Sequence, residues 1–193
     1  VPPMIVVMPA GHQPALTSAA APAAGSPATP QPLAVNPFTL EFVTDIMPYV
    51  ERHYRTLPER AHRAIAGLSM GGSQTLDIAF RHLDRFAYIG VFSSGAVLGG
   101  PRPGAPVTTP VPARPDWEAV HLADLDNAAL KPGTKLVWLS TGVDDRLLPN
   151  TRTTVDLLRK HGFKPVLTES SGGHTWINWR DYLIEFSVQL FRK

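Results

Sequence analysis

The sequence predicts an α/β fold built on a doubly wound, mostly parallel sheet, and three observations carry that prediction. Short, continuous apolar stretches recur along the chain, helical patterns fall between them, and a Gly-x-Ser-x-Gly turn stands where one such stretch gives way to a helix. Continuous rather than alternating hydrophobicity marks strands covered on both faces, as in parallel sheets. Strands that alternate with helices assemble into a doubly wound sheet.

Met4 to Met8, bounded by prolines, is the first apolar stretch and reads as a buried strand. Similar stretches follow at Ala61 to Leu68, Phe86 to Phe92, Lys135 to Leu139 and Lys164 to Thr168. Phe38, Phe42, Ile46, Tyr49 and His53 fall on one face at near-helical spacing. Leu76, Phe80 and Leu83 do so within a helix expected over Ser73 to His82, and Val155, Leu158 and His161 within another. A last helix carries Trp179, Leu183, Phe186 and Leu190. Residues 14–32 and 101–115 interrupt the alternation, since together they hold 11 of the 20 prolines. Such composition excludes regular structure. Each stretch follows the carboxyl end of an expected strand, the edge that carries the ligand crevice in open parallel sheets. They read either as surface loops or as lids walling that crevice.

A chain of 193 residues with 44% hydrophobic content fits one domain with a core of ordinary size. Eighteen Lys and Arg against sixteen Asp and Glu leave a formal charge of +2. No basic run tracks a phosphate backbone, so nucleic acid is not an expected partner. No apolar run approaches the roughly 20 residues that cross a bilayer, and no membrane partner is expected. The absence of Cys excludes disulfides, thiol nucleophiles and thiolate metal sites. No His or carboxylate pair recurs at ligand spacing on one element, so no metal is expected either. The first residues carry no charged leader and run almost at once into the first expected strand. The chain is therefore expected to begin in mid-domain, with any export signal upstream.

Gly67-Leu68-Ser69-Met70-Gly71, extended by Gly72, lies between the strand ending at Ala64-Ile65-Ala66 and the helix over Ser73 to His82. This is the context of a nucleophile elbow, in which a sharp turn strains the serine backbone and flanking glycines allow close packing. The helix start then aims its backbone N–H groups, Met70 first, at a developing oxyanion. A serine hydroxyl needs a base and an orienting acid, which in this arrangement follow in the order Ser, Asp or Glu, His. Thr141-Gly142-Val143-Asp144-Asp145 follows one expected strand and Gly172-Gly173-His174 the next, so both reach the same sheet edge as Ser69. Among seven histidines, His12 also lies just past a strand, whereas His53, His62, His82, His121 and His161 read as helix or surface positions. His174 is the candidate base. Asp144 and Asp145 are both candidate acids and, being adjacent, point in different directions. Glu169 is a third, at the end of the strand leading to His174.

Pro3 to Pro9, Arg63 to Gly72, Phe86 to Ser93, and Gly172-Gly173-His174-Thr175-Trp176 with Trp179-Arg180 together resemble carbohydrate esterase family one, which includes feruloyl and acetylxylan esterases. The resemblance implies an α/β-hydrolase fold, a Ser-Asp-His triad, no cofactor, and hydrolysis of acyl esters on plant cell-wall polysaccharide or oligosaccharide by a secreted or periplasmic enzyme. The alternative readings are another acyl-transfer enzyme on the same fold, such as a thioester or siderophore esterase or an acyltransferase, and a non-catalytic binding protein that keeps the fold. It also implies that the acid is the last residue of a Gly-x-x-Asp turn, here Asp145, so that Ser69, Asp145 and His174 are catalytic and the Met70 N–H supplies half of an oxyanion hole. Family members carry a further strand ending in a His-Gly-rich loop that gives the other half, and this chain has no counterpart. In the family's sheet order that strand lies between Met4 to Met8 and the strand ending at Ser69. The missing part is expected to come from another segment or chain.

Overall fold

The computed structural model describes residues 3–11, 37–96 and 116–192. His12 and the stretches 14–32 and 101–115 lie outside the described residues. Two compact units are present, Met4–Thr56 and Leu57–Lys193 with the first three residues.

In the smaller unit, α1 (Pro37–Glu41) and α2 (Met47–His53) are joined by one wider turn of helix, Phe42–Ile46. Pro48 comes two residues after that turn and has no N–H to continue the regular ladder, a usual cause of such a turn. The extra residue rotates the buried stripe: Phe38, Val43 and Met47 are buried, whereas Tyr49 is exposed. The single face expected from Phe38 to His53 is therefore broken after Phe38. Met4 to Met8 is not the buried strand expected: it forms no ladder, and Ile5, Val6, Val7 and Met8 are exposed. An apolar run becomes a strand only where another strand supplies hydrogen bonds, and no described residue pairs with it. A cleft of about 690 Å³ within this unit is lined by Val6, Met8, Ile46, Tyr49 and Tyr54.

The larger unit contains the sheet. Strands β1 (Ala64–Leu68), β2 (Tyr88–Phe92), β3 (Leu136–Gly142) and β4 (Val166–Ser170) pair in parallel in that spatial order. Helices α3 (Met70–Arg81), α4 (Trp117–Leu125), α5 (Leu148–Lys160) and α6 (Trp176–Ser187) complete the doubly wound α/β pattern. All five residues of β2 are buried, with α3 and α6 both packed on it. Phe186 of α6 meets the rings of Phe92 and Trp138, which anchors the last helix to the two central strands. The outer strands depart from the continuous burial expected of them, since Ala66 and Val166 are exposed. Among the described residues β1 pairs along one edge only, with β2.

Three further observations bear on the sequence patterns. On α6 the buried stripe is Trp179, Tyr182 and Phe186, while Leu183 is exposed, and Leu190 is buried in the turn beyond the helix. His121, within α4, and His161, at the end of α5, are helix positions, and both are buried. Helix α4, absent from the expected elements, is capped by Asp116, whose carboxylate accepts the Glu118 N–H at 3.1 Å.

Candidate active site

Ser69 sits between β1 and α3 with φ 51° and ψ −118°, a conformation that L-residues avoid and that costs about 1–3 kcal/mol. Packing on both sides enforces it. The Ser69 N–H donates to the Phe92 carbonyl at 2.9 Å, tying the turn to β2. A side chain at Gly67 would place its Cβ 2.1 Å from the Gly71 carbonyl oxygen, and one at Gly72 would fall 2.5 Å from Ser94 Cβ. Gly71, the second glycine of the motif, would meet nothing within 4 Å, so the packing need expected of it falls instead on its neighbour Gly72. Met70 is the first residue of α3, where backbone N–H groups lack intrahelical acceptors and the helix dipole favours negative charge.

Three parallel strands deliver three side chains to one edge. Asp145 follows β3 in a turn closed by its N–H to the Gly142 carbonyl at 3.0 Å. Its side chain is fully buried: Oδ1 accepts the Leu147 N–H at 2.9 Å and Oδ2 lies 2.9 Å from His174 Nδ1. His174 follows β4, and its Nε2 lies 2.9 Å from Ser69 Oγ. A carboxylate only accepts hydrogen bonds, so His174 Nδ1 carries the hydrogen and Nε2 is left with a lone pair toward the serine hydroxyl. That is the tautomer in which an imidazole can take a proton from serine.

The two other candidate acids point elsewhere. Asp144 is exposed. Glu169 is held by Arg152 in a two-pronged pair, 2.7 Å on each oxygen, and that guanidinium lowers its pKa. His53, His62, His82, His121 and His161 have no part in the Ser69 contact. His121 gives its Nδ1 contact to the Trp117 carbonyl, and His161 bridges Asp126 and Glu118. Among the described residues no group of His, Asp and Glu converges as metal ligands.

Behind His174 the structure adds residues whose part in the site no motif reveals. Trp179 meets the imidazole edge to face, with centroids 4.8 Å apart, and its Nε1–H donates to the buried Ser93 hydroxyl at 2.9 Å. Ser93, at the end of β2, also has a positive φ of 48°. Nothing but its place in the block Trp179-Arg180 singles out the tryptophan in the sequence, because an apolar residue at that spacing reads as ordinary core.

A family model described as putative esterase matches residues 1–190. The chain is 25% identical over 157 residues to an endo-1,4-beta-xylanase/feruloyl esterase of Xylanibacter ruminicola, covering 80% of this chain and 18% of that protein. It is 27% identical over 189 residues to esterase Rv1288 of Mycobacterium tuberculosis, covering 96% of this chain and 36% of that one. A solved ferulic acid esterase superposes with a TM-score of 0.59 at 27% identity, over 77% of this chain and 58% of the other. The chain thus spans about a fifth to a third of these curated relatives, and its sheet and helices are those of an α/β-hydrolase.

Proposed function

This chain belongs to the putative esterase family, and from that premise we propose that it is a serine carboxylic ester hydrolase working through an acyl-enzyme on Ser69. The observation that carries the reading is the unbroken chain of contacts from Ser69 Oγ through His174 to Asp145, each 2.9 Å long. In the first step Ser69 Oγ bonds to the ester carbonyl carbon while its proton passes to His174 Nε2. Asp145 holds the ring by Nδ1 and stabilises the imidazolium, without taking the proton itself. The Met70 N–H supports the oxyanion. Collapse of the tetrahedral adduct breaks the bond to the alkoxy group, which leaves with the proton returned by His174. Water then attacks the acyl-serine by the same path in reverse, releasing the acid and restoring Ser69.

The substrate class we propose is an acyl ester of plant cell-wall polysaccharide, feruloyl or acetyl. Its support is the naming of the Xylanibacter relative and of the solved ferulic acid esterase. With that substrate class we propose the secreted or periplasmic location that the family resemblance implies. The test is a panel of methyl ferulate, acetylated xylan, small acyl esters and a thioester. Turnover led by methyl ferulate or acetylated xylan supports the class, and preferred turnover of the thioester overturns it.

A further inference from the structure

We propose that Asn178 is a positioning residue for the reaction: it fixes the loop that carries His174, and so sets the imidazole against Ser69. The proposal rests on the reading of His174 as the general base. Asn178 lies in the first turn of α6 and is buried, and its side-chain amide is used from both ends. Its Oδ1 accepts the Thr175 hydroxyl at 2.8 Å, immediately after His174. Its Nδ2 donates to the Ser171 carbonyl at 2.7 Å and to Ser170 Oγ at 3.0 Å, at the end of β4, and approaches Tyr182 Oη at 3.3 Å. Ser170 Oγ and Tyr182 Oη are themselves 2.6 Å apart, so the amide belongs to a closed polar cluster.

One side chain thus grips the loop before and after His174. Between those grips Gly172 has φ +86°, a conformation that only glycine adopts freely, and a Cβ there would fall 2.8 Å from Asn178 Oδ1. The loop therefore rests directly on the amide. Asn178 makes no hydrogen bond to the imidazole, whose partners are Ser69, Asp145 and the ring of Trp179. A buried amide with this many partners and no contact to the reacting groups acts on the chemistry through the position of the ring. Displacement by about 1 Å at a proton-transfer contact costs on the order of 10²-fold in rate.

The test uses Asn178→Ala and the near-isosteric Asn178→Asp, which can still accept from Thr175 but cannot donate to Ser171. Val155→Ala, in the buried face of α5, is the control for lost stability. Each is assayed on a chromogenic acetate ester and by proton NMR, in which the hydrogen between His174 Nδ1 and Asp145 gives a low-field signal. Both Asn178 variants are expected to lose roughly 30- to 100-fold in kcat with KM within about twofold, and to lose or broaden that signal. Val155→Ala is expected to lower the melting temperature while keeping the signal and kcat. Asn178 variants that keep more than half of kcat, or that lose it with the signal intact, overturn the proposal, provided His174→Ala is inactive. An active His174→Ala instead overturns the assignment of the base on which the proposal rests.

Discussion

Replacing Asp145 by Asn exchanges one carboxylate oxygen for an NH₂ group, and the surrounding contacts dictate which. In the native site both oxygens accept, Oδ1 from the Leu147 N–H and Oδ2 from His174 Nδ1–H. The Leu147 amide is fixed in the turn before α5 and can only donate, so the Asn carbonyl oxygen must turn toward it. The NH₂ group then faces His174 Nδ1, which can meet it only as an acceptor. The imidazole proton moves to Nε2, and Nε2–H cannot receive a proton from Ser69 Oγ 2.9 Å away. In a serine protease with the same three roles this exchange lowers kcat by about 10⁴. At about 1.36 kcal/mol per tenfold, that is about 5.4 kcal/mol of barrier. The loss should lie in kcat on a chromogenic acetate ester, with KM and the melting temperature little changed. Asp144→Asn, at an exposed position, should keep most of the rate. An Asp145→Asn variant retaining more than about a tenth of kcat, or a crippled Asp144→Asn, would refute this reasoning.

Four other outcomes follow from the same geometry. Ser69→Ala should lower kcat by on the order of 10⁶ without unfolding the chain, as judged by turnover beside circular dichroism. Gly72→Ala should destabilise by about 1–3 kcal/mol, because its Cβ would lie 2.5 Å from that of Ser94. Gly71→Ala should be neutral or slightly stabilising in thermal denaturation, since its Cβ meets nothing within 4 Å. His161 has its pKa raised, first by the hydrogen bond to Asp126 and against the cost of burial, with Glu118 adding to the rise. A pKa raised in the folded state contributes stability that is complete below the unfolded value of about 6.5 and is lost as pH climbs through the raised value. Thermal melts across that window should show stability falling with rising pH, and His161→Gln should remove this part of the slope.

Much of this was legible from residue patterns, and the rest was hidden for physical reasons. Four of the five apolar stretches are strands, with starts displaced by one to three residues. β3 runs on through Ser140 and Thr141 to Gly142, and the polarity of the first two hides burial that the sheet imposes. Met4 to Met8 has the composition of a strand, but composition cannot supply a neighbour to pair with. The wide turn before Pro48 rotates a helical face by one residue, which a fixed 3.6-residue period does not anticipate. At the site, Ser69 and His174 stand out because each follows a strand at a glycine-bearing turn, and topology brings such turns to one edge. The same pattern leaves Asp144, Asp145 and Glu169 open as the acid, and only the family resemblance favours Asp145. Asn178 gives no such signal, for a lone amide in an amphipathic helix reads as a solvated position until its partners are visible.

The most direct measurement is a trapped acyl-enzyme. The protein is mixed with a chromogenic ester, quenched in acid before the burst decays, and its peptides are mapped by mass spectrometry. One acyl group on the peptide containing Ser69, absent from Ser69→Ala and accumulating with the burst, is the predicted result. Turnover with no acyl adduct on Ser69, or an adduct on another residue, would contradict the assignment of Ser69 as nucleophile.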